Sequence, residues 1–375
     1  MDNSFSMFGL TLEQTKVLFS LQKQILVNDI ENKTPAHYKR HIDLNDDLNR
    51  GINEILKTIR IGKRFYPFST ADKLTQEFFN VVEVKSKWTD NWEDTVTEYM
   101  KGIDQESELS LLSSMDEIKH LIKRIDAKTG NPLWKYLILL ECCTFTPYIP
   151  KDKTSSDYEV LKKCVYYEND DLLIHICEVL GIESEYVALF KKSYDKAFKR
   201  LSGYWKTMAI STGIGVAAAL ASVIVFQPYV LFAAPGLTGA AAVTSGLATL
   251  GGGAVAAGGL GMAGGMAVVI GGGTLLGAGA GSSAGNMITK MSAGAVLCES
   301  AKMEVILKDI VLGVQKDTHY FQEILIRVTE QMQQLRKKII YLQVKGAEYE
   351  KRIEELEKKI EFLEKLIVGS KAYSY

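Results

Sequence analysis

Apolar residues recur at helical spacing through the first 206 positions of the chain. Thr11 and Gln14 stand as a capping box before an amphipathic run with Val17, Leu18, Leu21 and Ile25. In such a box the hydroxyl and the amide satisfy backbone N–H groups that a helix start leaves unpaired. A second run carries Leu48, Ile52, Ile55, Leu56 and Ile59, and a third covers about 70–100 with a break expected near Thr89. Residues 107–127 repeat the pattern with Leu111, Leu112, Ile118, Leu121 and Ile125. "NPLWKYLILLECC" predicts a compact apolar helix, and the two prolines of "TFTPYIPKDKTSSD" predict a loop. Helices are expected over about 156–165, 169–181 and 184–205. No stretch alternates with a period of two, so the fold class is all-α. The expected domains are an N-terminal helical subdomain at 1–104 and a second at 105–206.

The spacing changes in the last quarter of the chain. Leu325, Val328, Met332, Leu335, Ile339, Leu342, Gly346, Tyr349, Ile353, Leu356, Ile360, Leu363 and Ile367 are separated alternately by three and four residues. Ile at a and Leu at d favour a parallel two-stranded coiled coil. Its core would be Leu335, Ile339, Leu342, Ile353, Leu356, Ile360, Leu363 and Ile367. Lys345, Arg352 and Lys359 fall at g, while Glu350, Glu357 and Glu364 fall at e, as a homodimer requires. The competing expectation is a long amphipathic helix laid on the protein's own N-terminal helices. Gly346 marks a weak point or hinge in either case. The domain expected here is 290–375, an amphipathic helix followed by the coil.

Between these parts the polar pattern vanishes. From Thr207 to Thr289 there are 83 residues without Asp, Glu, Lys, Arg or His, and 20 of the chain's 31 glycines lie there. Met208–Ala234 exceeds the roughly 20 apolar residues that span a bilayer. Pro235-Gly236 makes a turn, and 44 more uncharged residues follow from Leu237 to Ala280. Gly261 and Gly265, and Gly273, Gly277, Gly281 and Gly285, recur every fourth position. That register gathers them on one helix face, where small residues let helices approach closely in lipid. Residues 207–289 are therefore expected to be a membrane segment built around a glycine zipper. Each glycine weakens a helix by about 1 kcal/mol relative to alanine, which suits a hairpin that is stored and later inserted. Just before the segment, "KKSYDKAFKRLSGYWK" carries six Lys or Arg against one Asp. Lys199, Arg200, Tyr204, Trp205 and Lys206 have the basic and aromatic composition of a membrane interface on the cytosolic side.

Composition excludes more than it identifies. The net charge is −1, so nucleic acid is not an expected partner. The five cysteines are odd in number and lack a CxxC, so reduced thiols are expected rather than a disulfide framework. The N-terminus lacks a signal-peptide pattern. Walker chemistry needs a lysine in its loop, and none occurs in the uncharged block. Gly259-x-Gly261-x-x-Gly264 has no βαβ context. Gly281-Ser282-Ser283-Ala284-Gly285 is a literal GxSxG, and Asp309, Asp317 and His319 follow it in order. That motif needs a sheet, so these three are expected as polar surface. His37 with His41, and His175 with Cys177 and Glu178, are expected as surface and core residues rather than metal ligands. Glu168, Asp170 and Asp171 read as a helix start. No catalytic residue, metal or cofactor is expected.

"YENDDLLIHICEVLGIESEY" resembles the small all-helical tellurite-resistance TerB-like domains. "GIGVAAALASVIVF" and "VVIGGGTLLGAGAGSSAG" give the chain a layout similar to membrane-inserting helical proteins. These are the apolipoprotein L family, colicin-type pore formers and ClyA-type toxins. The hairpin is also similar to that of the transmembrane and coiled-coil hydrolase family, whose hydrolase domain this chain lacks. The resemblance implies an intracellular effector that inserts into a lipid membrane, homo-oligomerises and permeabilises it. Its N-terminal domain would be cytosolic, stored in soluble form before insertion and open to a regulatory protein partner. The alternatives are a passive membrane scaffold or tether whose coil recruits a partner, and a soluble enzyme.

Overall fold

The structure is a computed structural model that describes residues 10–39, 73–103, 110–148, 156–203, 288 and 293–373. Among the described residues every regular element is helical and there is no strand. In chain order they are α1 (Leu12–Asn28), a π-helical turn (Asp29–Lys33), α2 (Thr34–Lys39), α3 (Lys73–Ile103), α4 (Met115–Asp126) and α5 (Leu133–Cys143). Then come α6 (Tyr158–Lys163), α7 (Asp170–Leu180), α8 (Glu185–Ser202), α9 (Ala293–Val305), a π-helical stretch (Ile306–Gln315), α10 (Thr318–Lys345), a 3-10 turn (Ala347–Tyr349) and α11 (Glu350–Lys371).

Local sequence sets most of these boundaries. Thr11 Oγ1 accepts from the Gln14 N–H at 3.3 Å, and the Thr11 N–H donates to Gln14 Oε1 at 2.8 Å. This box starts α1 and contributes about 1 kcal/mol. Val17, Leu18, Leu21 and Ile25 are all buried. Helix α4 starts at Met115 rather than near 107, because Ser114 and Glu117 form a second capping box there. Leu111 is still buried, on the non-helical stretch that precedes it. Helix α3 passes Thr89 without a break. The Thr89 and Ser86 hydroxyls donate to the carbonyls of Lys85 and Val82, four residues back, at 2.9 and 2.8 Å. Each hydroxyl is thus satisfied inside the helix and does not compete for its backbone bonds.

The helices share one apolar core that runs from Leu10 to Ile367. Helix α1 packs on α3, α4 and α5, and α9 packs on α8. The lines drawn at 104 and 290 therefore do not separate independent cores among the described residues. Amphipathic faces on both sides of those lines bury each other, the main source of helix stability in proteins.

The heptad is not one rod. Gly346 has φ +130° and ψ 172°, a backbone region essentially confined to glycine, and it separates α10 from α11. Twenty-eight residues of continuous helix would hold Arg336 about 42 Å from Glu364. They instead pair at 2.5 Å across the hairpin. Within the chain the two arms therefore pair antiparallel. An a/d stripe buries equally well against its own second arm. Leu335, Ile339, Leu342, Leu356, Ile360, Leu363 and Ile367 are buried, and Ile353 is half-buried. The g-position residues Arg352 and Lys359 both pair with Glu355 on their own helix, at 2.6 and 3.3 Å.

Candidate functional site

The zipper glycines Gly261, Gly265, Gly273, Gly277, Gly281 and Gly285 lie outside the described residues, as do Tyr204, Trp205, Lys206, His41 and the Leu48–Ile59 run. The described residues give the frame from which the uncharged segment departs and to which it returns. Among them, no helix is long and apolar enough to cross a membrane.

Helix α8 leads into the segment and α9 leads out of it, and the two pack side by side. Tyr194 lies against Cys298, and Arg200 pairs with Glu304. Each contact lies six residues further along both helices, so α8 and α9 run parallel. The first described position of α9 is therefore about 20 Å back along the pair from the end of α8. Leu201 and Ala293, on either side of the segment, belong to one packed core.

Polar contacts lock this frame. The Arg200 guanidinium donates to Glu304, which is buried, and to the Lys365 carbonyl at 2.8 Å. Tyr373 donates its hydroxyl to Glu304 Oε1 at 2.8 Å. Lys365 Nζ reaches the Leu201 carbonyl at 3.3 Å, near the end of α8, where a cation suits a helix C-terminus. Arg200, expected at a lipid interface, is thus a bolt between α8, α9 and α11. Lys199 is exposed and pairs with Asp195. At the start of the same basic run, Lys191 bridges Glu168 at 2.7 Å and Asp170 at 2.5 Å, beside the start of α7.

Gly369 makes room for the bolt. A Cβ there would sit 2.4 Å from the Arg200 guanidinium carbon. The overlap itself is cheap, since an arginine head can swing away, and the cost is the lost pairing with Glu304. Gly369→Ala is expected to lower the unfolding free energy by about 1–2 kcal/mol, the scale of a lost charged hydrogen bond. In an Arg200→Ala background the same change should raise it by up to about 1 kcal/mol, through helix propensity. Urea unfolding of the four proteins reads this reversal of sign. The same sign in both backgrounds would refute it.

A second lock joins α9 to the N-terminal helices. Lys302 Nζ lies 2.9 Å from Glu141 on α5 and 3.4 Å from Glu299. Burial opposes its charge, but the two carboxylates outweigh burial and raise its pKa above the ordinary lysine value.

The third polar centre lies elsewhere, where the π-helical turn meets the middle of α3. Lys85 is 0 % exposed and Asp29 1 %. Lys85 Nζ donates to Asp29 Oδ2 at 2.7 Å, Thr34 Oγ1 at 2.8 Å and the Val165 carbonyl at 2.7 Å. Asp29 also accepts from the Tyr148 hydroxyl at 2.8 Å and the Tyr167 N–H at 3.0 Å. The Tyr148 and Tyr167 rings flank the ammonium at 4.8 and 4.9 Å. Burial lowers the Lys85 pKa against the pull of Asp29. All three ammonium protons are engaged and the group is sealed from solvent, so it ties the π-helical turn, α2, α3 and two loops together and offers no nucleophile.

The thiols have no activated form. Burial pushes Cys164 up to about 11 and Cys177 and Cys298 up to about 12, and it raises Cys142 and Cys143 as well. A thiol needs a lowered pKa to act as a nucleophile. Cys177 is buried while His175 and Glu178 pair at 2.9 Å on the exposed face, so these three do not converge. No metal-holding cluster occurs among the described residues. Asp317 caps α10 by accepting from the Tyr320 N–H at 2.8 Å, and His319 is exposed. Asp309, expected on the surface, is buried instead.

Sequence reading missed Glu304, Lys302, Glu141, Asp29 and Lys85. The available signal was a charge interrupting an apolar face, as Glu299, Lys302 and Glu304 do in "AVLCESAKMEVIL". No protein-family model, curated protein or solved structure matches the chain.

Proposed function

We propose that the protein is a membrane-inserting effector in which the helical body carries and restrains the uncharged 207–289 segment. Insertion of that segment, and packing of several copies through the glycine faces, would make the membrane leak. The observation that carries this reading is the parallel α8–α9 frame around the 83-residue uncharged run. The helices on either side of it belong to one body that has no membrane-crossing helix among its described residues. With the body on one side of the membrane, the segment would cross an even number of times. In this reading, assembly comes from the glycine faces, since the heptad seam is filled by its own second arm.

The test is dye release from liposomes by the full chain. The Gly273→Leu/Gly277→Leu/Gly281→Leu variant is the comparison. Release by the parent and none by the variant is the expected result. Equal release by both would overturn the zipper. Absence of release, with the parent still floating on the liposomes, would replace the effector with the anchor or tether.

A further inference from the structure

The outward face of α10 near the hairpin turn departs from what an ordinary surface helix shows. Positions b, c and f of a heptad point away from the seam and are polar when they meet only water. Here Ile340 is 61 % exposed, Tyr341 50 % and Val344 84 %. They lie on one arc with Lys337, Lys338 and Lys345, all exposed. From Gln331 to Ala347 the chain has four basic residues and no acidic one. Arg336 is occupied by Glu364, which leaves the three lysines on the apolar arc. Lys338 and Lys345 both sit 4.9 Å from the Tyr341 ring centre, on the two sides of its position in sequence.

We propose that this tip, residues 337–345 beside Gly346, docks the protein on an anionic lipid surface. Three apolar side chains ringed by lysines, with an aromatic bearing a polar end, match the headgroup region. Carbon enters the acyl boundary, while ammonium groups and the phenol stay with the headgroups. A turn between two helices is convex. It therefore offers a deformable, negatively charged interface a better fit than the concave pocket on which a protein hot spot depends. The inference builds on the membrane reading but concerns first contact, which is separate from insertion of residues 207–289.

Flotation of the full chain with vesicles of neutral phosphatidylcholine, with and without phosphatidylserine, tests it. The parent is expected to bind the anionic vesicles and to leave them at high salt. The Lys337→Gln/Lys338→Gln/Lys345→Gln variant should partition roughly 100-fold more weakly, from about fivefold per lysine. Ile340→Ser/Val344→Ser should also lose binding, with an unchanged unfolding midpoint because both residues are exposed. The Gly273→Leu/Gly277→Leu/Gly281→Leu variant should bind as the parent does. Binding by the parent that ignores phosphatidylserine, no binding by the parent, or parent-like binding by both tip variants overturns the proposal. If only the glycine variant loses binding, contact belongs to 207–289: the docking tip fails while the membrane reading stands. Tip variants that change self-association in sedimentation, with vesicle binding intact, would assign the face to a second copy of the chain.

Discussion

Replacing Lys85 by methionine is expected to cost the folded state about 3–5 kcal/mol, the range for removing one partner of a buried ion pair. Methionine keeps most of the side-chain volume, so the loss reports charge rather than a cavity. Asp29, at 1 % exposure, would keep Tyr148 and Tyr167 as donors but lose its cation. Thr34 and the Val165 carbonyl would each lose a donor. Adding Asp29→Asn should recover part of the loss, because an amide oxygen can still accept from Tyr148 or Tyr167 and no buried charge remains. Urea unfolding at neutral pH measures all three proteins. A single-variant loss below about 1 kcal/mol would mean that water reaches the pair. The pH dependence has a defined sign. The Lys85 pKa is lowered on folding, so the unfolded chain holds the extra proton between that value and 10.5. Through that window, stability from this group rises with pH.

Lys302→Met should cost a similar amount, about 3–5 kcal/mol, with the opposite pH signature. It removes the cation that Glu141 and Glu299 share on either side of the α5–α9 contact. The Lys302 pKa is raised on folding, so its contribution is complete below 10.5 and is lost as pH rises above it. The difference in stability between parent and variant should therefore be flat from pH 7 to about 10 and shrink only beyond. A difference that already fades near neutrality would place another group in the role. The variant also tests the membrane reading, because α9 is the root to which residues 207–289 return. A weaker hold on that root should speed dye release from liposomes. Unchanged release kinetics would separate the root from the event.

Patterns with a single local cause were legible in the sequence. Thr11 and Gln14 form their box as spacing requires, and the helices from Leu133 to Ser202 fall close to where periodicity placed them. The helix at Met115 started late because a serine cap outcompeted the apolar register upstream. The heptad was legible as a stripe but not as a partner. An a/d seam buries the same side chains against a parallel twin or against its own antiparallel arm, and only the backbone at Gly346 decides. Buried charges were the least legible. Arg200 and Lys206 lie six residues apart in one basic run, and no local feature of the sequence marks Arg200 as the one that meets Glu304. That pairing joins residues 104 apart and depends on the whole packing of α8 on α9.

The parallel pairing of α8 and α9 sets an order of events on the ribosome. Arg200 leaves the exit tunnel 104 residues before Glu304. At about 5–20 residues per second that delay is roughly 5–20 s. Throughout it, α8 has no α9 to cover its apolar face, and the entire uncharged stretch emerges before its second root exists. The nascent chain therefore passes through a dwell in which a bilayer, a chaperone and its own unfinished body compete for the same residues. The speed of translation across 204–292 would then set how much of the protein reaches each.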